Sequence, residues 1–398
     1  MRRVAQNLAL VSLSLLLSGV VLSACGSSSQ TRRYDRKQVQ DSLSRLESPG
    51  LVIGEFSLAP KAIVDGDTVK VRGLDTSLRL LAIDTEETYK RAADRRDSDS
   101  DFKAYLESKK GSSGRPAKAA TPLGEDAKKW AKQFFSGTTK VRLERDHPKE
   151  IRGAYGRYLA YVFVQKDGVW VNYNVEAVRA GMTPYFSKYG YSRRFHEDFI
   201  QAEKEAQAKQ IGIWKPGCQC YPDYPLRRRW WDARADFILD FERKAAERDD
   251  YIVLTNWDSL RRLEGKLGKE VTILATVADI RRGNKGPSQA RLSRRMFNDF
   301  PAVFFDPEVF ATSGITRYKS EYVAVTGVVN KYKNKYNNKQ VLQILVSLPS
   351  QVTGSRLPLT ESPEAAPPAS PPASPEVAPE AGSNAEPAEP VTSASNTP

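Results

Sequence analysis

The sequence predicts a mainly β protein with helices between its strands, built as two β-barrel domains. Three observations point there. Residues 62–64, 68–71 and 78–83 are strand-like text, punctuated by the turn formers Asp65-Gly66 and Gly73, and 141–143 and 158–164 read the same way. A second strand-rich region follows at 270–275, 302–305, 322–329 and 341–346, with turn signals Lys285-Gly286-Pro287 and Asn337-Asn338. Helical text lies between, at 124–135, at the Ala/Glu/Lys/Gln-rich 197–210 and at the charged, aromatic-bearing 227–250.

The chain has 398 residues, 40% of them hydrophobic, enough to bury two cores beside tails. Its formal net charge of +13 favours polyanionic partners, nucleic acid or acidic lipid. Solubility alone is the plainer reading of that charge. Only Cys25, Cys218 and Cys220 supply thiols, and no CxxC pair occurs, which argues against a structural zinc site. His147 and His196 are the two histidines, so a Ser-His-Asp or multi-histidine centre is hard to build. Both histidines read as ordinary surface or helix-cap residues. Hydrolytic chemistry here would rest on carboxylates, arginines and a hard cation.

The first residues have the shape of an export signal. Met1-Arg2-Arg3 gives a positive start, and an apolar run over 8–22 ends in Leu22-Ser23-Ala24-Cys25. Those four residues resemble a bacterial lipobox, whose cysteine becomes the lipidated first residue. The expectation is an extracytoplasmic protein held to a membrane through Cys25; a soluble secreted protein in which Cys25 is incidental is the alternative. Nothing later reaches the roughly 18 apolar residues of a membrane-spanning helix.

The expected organisation is a signal and lipobox at 1–25, a polar tether at 26–49, a first domain at 50–220, a helical connector at 221–263, a second barrel at 264–352 and a Pro/Ala/Ser/Glu tail at 353–398. The tail cannot bury enough apolar surface to order itself. Residues 89–121 are highly charged and read as a surface insertion, with the Asp-Ser run at 97–101 as a solvated loop.

Three short pieces carry the chemistry: 63–69 (Ile-Val-Asp-Gly-Asp-Thr-Val), 78–88 (Leu-Arg-Leu-Leu-Ala-Ile-Asp-Thr-Glu-Glu-Thr) and 154–161 (Ala-Tyr-Gly-Arg-Tyr-Leu-Ala-Tyr). Phosphodiester hydrolysis without zinc needs oxygen ligands for a hard cation. It also needs a carboxylate base for water and planar cationic forks for phosphoryl oxygens. The three pieces hold that inventory. Taken singly each is bland: Asp65-Gly66-Asp67 is a turn, Arg79 a solvated strand arginine, Tyr155-Gly156-Arg157 another turn. Their joint occurrence in this order overrides those readings.

In content and order the pieces resemble the staphylococcal nuclease (thermonuclease) family, from about Ala62 to Trp214, including the helical run 202–209 and Ile213-Trp214. The resemblance implies an OB-fold five-stranded barrel and a Ca2+-dependent nuclease acting on DNA or RNA, cutting the 5′ P–O bond to leave 3′-phosphate ends. It implies that Asp67 and Asp84 bind Ca2+ with the Thr85 carbonyl, and that Glu87 is the general base. Arg79 and Arg157 would clamp the phosphate, with Asp65 close behind the metal. Tyr155 and Tyr189 would line the nucleotide pocket, although the match near Tyr189 is off by about one residue. Two departures stand out. Glu86 occupies a position where the family often has proline, and a second acid there would alter the loop or draw the metal. The 89–121 insertion falls where the family carries a mobile substrate-side loop; Lys90, Arg91, Arg95 and Arg96 would extend the nucleic-acid contact, and Asp97, Asp99 and Asp101 would oppose it.

Residues 264–352 look like an OB-fold of nucleic-acid-binding modules. Aromatic and basic residues interleave at 332–336 and 291–297, which suits stacking on bases beside a phosphate-tracking groove. A plain structural barrel with a charged rim is the alternative. Cys218 and Cys220 would pair in an oxidising compartment; free thiols, or pairing with another chain, remain open. Two functions compete with a nuclease: a non-catalytic lipoprotein that captures DNA, and a structural envelope lipoprotein. The complete acid, base and arginine set argues against the first, and the Arg/Tyr pairs and positive balance against the second.

Overall fold

A computed structural model describes residues 50–355, apart from 75, 111–115, 151–152, 154–156, 294–298 and 334–337. Cys25, the expected tether, Tyr155 and nearly all of the expected tail lie outside the described residues.

The first barrel is made of β1 (Val52–Asp65), β2 (Thr68–Val71), β3 (Leu78–Leu80), β4 (Lys140–Glu144) and β5 (Tyr158–Lys166). Sheet order is β2-β1-β4-β5-β3, with β3 and β5 parallel and the other pairs antiparallel. The Leu80 amide donates to the Asp67 carbonyl at 3.5 Å, bringing the β2 and β3 edges together to close the barrel. Inward positions follow the period of two that a strand imposes. Val69 and Val71, Leu78 and Leu80, and Val141 and Leu143 are all buried. A short strand β6 (Val169–Asn172) extends β5.

Helices cover this barrel. The insertion is not a loop, as its charge suggested, but carries α1 (Ala92–Ser100) and α2 (Phe102–Ser108). The reason lies in its few apolar residues. Tyr105 and Leu106 are buried in a cluster with Phe186, Tyr221 and Trp231, and the Tyr89 hydroxyl lies 2.5 Å from Ser98 Oγ. Helix α3 (Pro122–Phe134) starts with Pro122 after the Thr121 N-cap, whose Oγ1 accepts from the Gly124 amide. Helices α4 (Tyr173–Arg179) and α5 (His196–Ala208) pack together behind β5. Cys218 and Cys220 are joined by a disulfide.

The second barrel repeats the strand order of the first. Its strands are β8 (Glu270–Arg281), β9 (Ser288–Ser293), β10 (Phe300–Phe304), β11 (Tyr322–Lys333) and β12 (Gln340–Leu345). Pairings run β8–β9–β10–β12–β11 and return from β11 to β8, with β10 and β12 parallel. That cyclic order, with one parallel closure, is the Greek-key order of an OB-fold barrel. Two short strands add to it. β7 (Tyr251–Val253) lies parallel to β8, so strand structure begins inside the stretch read as connector, and β13 (Val352–Gly354) pairs with β11. Helix α7 (Ser259–Glu264) and helix α8 (Pro307–Thr312) complete it.

Between the barrels runs α6 (Tyr224–Glu247). Its first turns put Tyr224 and Trp231 against Phe186 and the insertion, and its later turns put Ile238 and Phe241 against Val253, Leu274 and Ala324. Arg234, almost fully buried, pairs with Glu321 just before β11. No helix among the described residues is long and apolar enough to cross a membrane.

Candidate active site

Asp67 sits in the two-residue turn of the β1–β2 hairpin, where Asp65 pairs with Thr68. A turn was the bland reading of Asp65-Gly66-Asp67, and the turn is what aims the acid. Gly66 is required there: a Cβ on it would lie 2.6 Å from Thr85 Cγ2 and 3.1 Å from Ala127 Cβ. Its absence lets the hairpin rest on the loop after β3, and the buried Tyr173 hydroxyl fixes the turn by donating to the Gly66 carbonyl at 2.6 Å. Ala82, in the left-handed region at φ 60°, turns the chain out of β3. Its carbonyl accepts from the Phe186 amide at 2.9 Å, and the Asp84 amide donates to Thr183 Oγ1 at 3.1 Å. Asp84, Thr85 and Glu87 are thereby delivered beside the hairpin.

Arg79 joins the two acids. Its Nη1 donates to Asp67 Oδ2 at 2.5 Å and its Nη2 to Asp84 Oδ1 at 2.7 Å. Burial opposes the guanidinium charge, but Asp67 and Asp84 outweigh it and hold Arg79 above the ordinary arginine range. Lys118, from the loop before α3, reaches both Asp84 oxygens at 2.9 and 3.0 Å. Burial would raise the Asp84 carboxyl; Lys118 and then Arg79 overcome this and hold it below the usual carboxylate range. Asp67 also accepts from Thr68 Oγ1 at 2.9 Å. Asp65 differs. Its Oδ1 is buried without a hydrogen-bond partner, and burial, then the adjacent Asp67 charge, pushes its pKa up to about 6.

The two consecutive glutamates separate. Glu87 keeps 41% of its side chain exposed and, among the described residues, its carboxylate pairs with Lys90 at 3.6 Å. Glu86 is buried with both carboxylate oxygens taken by other partners, so the expectation that it would draw the metal is not met. Glu86 Oε1 accepts from the Tyr221 amide and the Tyr224 hydroxyl, both at 2.7 Å, and Oε2 accepts from Thr121 Oγ1. Burial raises its pKa against the pull of those donors. Gly124 admits this loop: a Cβ there would stand 2.1 Å from the Glu87 carbonyl oxygen.

The remaining candidates lie on neighbouring segments, since β5 pairs with β3 and Tyr189 acts on the Arg79 charge. Arg157 is half-buried immediately before β5, and its carbonyl accepts from the Gly153 amide at 3.0 Å. Tyr189 is 59% exposed, edge-on to Phe186 at 5.6 Å, and Phe186 lies 5.9 Å from the Arg79 guanidinium. Of the insertion's basic residues, Arg95 is drawn to Glu125 at 3.4 Å and Lys90 to Glu87. His196 begins α5 with its Nδ1 2.9 Å from the Tyr185 hydroxyl, and His147 Nδ1 accepts from the Lys149 amide. Sequence reasoning missed Lys118, which lies outside all three motif pieces. Its 34-residue separation from Asp84 leaves no local signal.

A small barrel presenting paired carboxylates on an arginine fork, with a half-exposed glutamate in the same loop, fits a phosphodiester-cleaving class of protein. Staphylococcal nuclease homologue is the family that matches, over residues 77–216. A thermonuclease of Staphylococcus intermedius is 30% identical over 166 residues, 41% of this chain and 79% of that one. A thermonuclease of Staphylococcus hyicus is 29% identical over 38% of this chain and 72% of its own. An SPbeta prophage-derived endonuclease of Bacillus subtilis is 31% identical over 38% of this chain and 41% of its own. The chain belongs to the staphylococcal nuclease family. The family match begins after Asp67, and the fold brings that acid back to Arg79.

Proposed function

We propose that this protein is an extracytoplasmic, lipid-anchored, Ca2+-dependent nuclease that hydrolyses phosphodiester bonds of DNA or RNA and leaves 3′-phosphate ends. The observation that carries this reading is Arg79 held between Asp67 and Asp84, acids from two different segments, with the half-exposed Glu87 three residues after Asp84. The donor set suits a hard divalent cation. Asp67 and Asp84 hold Arg79, Asp84 also holds Lys118, and the buried Asp65 Oδ1 has no hydrogen-bond partner. As the side chains stand, the carboxylates face Arg79 and Lys118, and no cluster of three or more acidic, His or Cys side chains converges among the described residues. Asp67, Asp84 and the Thr85 carbonyl are the groups that would hold Ca2+. When bound, the ion supplies charge neutralisation at the phosphoryl group.

The chain's own residues do the rest. Glu87 takes the proton from the attacking water. Arg79 and Arg157 donate to the phosphoryl oxygens and stabilise the charge that grows on them. The family's thermonucleases and endonuclease support nucleic acid as substrate. The anchor rests on the apolar N-terminal run and Cys25. The test is direct. The chain from residue 26 onward is incubated with plasmid, single-stranded DNA and RNA, in Ca2+ or chelator, and product ends are analysed. Cleavage in Ca2+ with 3′-phosphate products is expected; 5′-phosphate products would refute the bond assignment. Cys25→Ser should shift the protein from the membrane to the soluble fraction, and unchanged fractionation would refute the anchor.

A further inference from the structure

The segment after α4 forms a ledge leading away from the carboxylates. Thr183 holds the Asp84 amide, Phe186 lies under Arg79, and Lys188 and Tyr189 follow. Helix α6 backs the ledge. Lys188 Nζ stands 4.7 Å from the centroid of the Trp230 ring and 5.7 Å from that of Tyr189. Trp230 Nε1 donates to Glu321 at 3.4 Å, and Arg234 Nε donates to the Lys188 carbonyl at 3.3 Å. The wall beside the site is therefore built from the connector helix and the segment preceding β11.

The cations around this ledge differ in one respect. Arg79 and Lys118 have Asp84, Arg228 has Glu203, and Arg234 has Glu321. Lys188 is half-buried, and no carboxylate among the described residues comes within ion-pair distance of it. Burial, then the neighbouring Arg234 charge, lowers its pKa to about 8. A desolvated ammonium without a counter-ion is costly. The aromatic faces of Trp230 and Tyr189 offset that only in part. A charged lysine persists in such a place when an anion is meant to complete it. Tyr189, exposed beside it, offers a face on which a base can stack.

We propose that Lys188, set between Tyr189 and Trp230, binds a phosphate of the nucleic-acid strand next to the one being cleaved. This rests on the nuclease reading. It adds a contact made only because the connector helix closes one side of the site.

The experiment uses the whole chain and its Lys188→Met and Lys188→Arg variants. Binding to a fluorescent single-stranded oligonucleotide is titrated in chelator across a salt series. One phosphate contact to a single strand is worth a salt slope of about 0.7, hence roughly eightfold in affinity at low salt. Lys188→Met should weaken binding by about that factor and lower the slope by about 0.7, while Lys188→Arg retains both. In Ca2+ the loss should appear in KM, with kcat kept. Equal affinity and slope for Lys188→Met and the unaltered chain would overturn the proposal. So would a loss that tracks a lowered melting temperature, which marks a structural role. If the unaltered chain neither binds nor cuts nucleic acid, the nuclease reading falls with it.

Discussion

The Tyr224 hydroxyl donates to Glu86 Oε1 at 2.7 Å, so the first turn of the connector helix is tied to a residue lying between Thr85 and Glu87. With the Tyr221 amide on the same oxygen, the connector holds the loop that carries Asp84 and the candidate base. Cutting the chain near Cys220 would strip both donors from a buried carboxylate. The connector therefore belongs to the site's foundation, not to a separable spacer. Tyr224→Phe should cost about 1–3 kcal/mol of stability and lower kcat more than it changes KM. Denaturant melts and steady-state rates check this; unchanged stability and rate would show the contact to be idle.

Gly124 gives a steric prediction. A methyl group there would meet the Glu87 carbonyl oxygen at 2.1 Å, and backbone cannot yield as a flexible side chain can. Gly124→Ala should destabilise by about 1–3 kcal/mol and displace Glu87, with a loss of turnover. Helix propensity alone would predict the opposite sign, since alanine favours a helix. A stabilised, fully active Gly124→Ala variant would contradict the packing described.

Lys118 competes for Asp84 with any cation that the site takes up, through its contacts at 2.9 and 3.0 Å. Lys118→Ala should tighten Ca2+ binding by up to roughly fivefold, the size of a half-exposed charge pair. Calorimetry of Ca2+ binding in the absence of substrate measures it. Weaker binding would mean that Lys118 supports the site instead of guarding it.

Lys188 makes stability depend on pH in a known direction. Arg234 from α6, Lys118, Asp84 and Glu321 act on it, and its pKa falls from 10.5 to about 8. Between those values the folded chain binds fewer protons at this group than the unfolded chain, so its contribution to stability rises with pH across that window. Lys188→Met should therefore raise the melting temperature at pH 7, and the gain should shrink toward pH 10. A gain that stays constant with pH would place its origin elsewhere.

Much of this was legible in the sequence, for a physical reason. Asp67, Arg79 and Asp84 lie within 18 residues of one another on strand-like and turn text, and the resemblance to the nuclease family is what assigned them to one site. Both barrels could be read from strand text because their inward residues are apolar and many of them are valine or isoleucine. The structure added what long-range packing decides. Glu86 looked like a spare metal ligand until Tyr221 and Tyr224, 135 and 138 residues away, claimed it. Helices α1 and α2 were hidden because charge dominates residues 92–108, while Tyr105 and Leu106 do the anchoring. Lys118 and Lys188 carry no local pattern at all. β7 was absorbed into the connector because three residues are too few to show a period.

The most direct measurement compares nucleic-acid cleavage by the unaltered chain and by Asp67→Ala, each in Ca2+ and in chelator, with folding followed by circular dichroism. Asp67 is one of the two acids on the Arg79 fork, at 2.5 Å. The unaltered chain should cleave in Ca2+ and not in chelator, and Asp67→Ala should be folded yet inactive in both. Full cleavage in chelator, or wild-type cleavage by folded Asp67→Ala, would contradict a Ca2+-dependent nuclease centred on Asp67, Arg79 and Asp84.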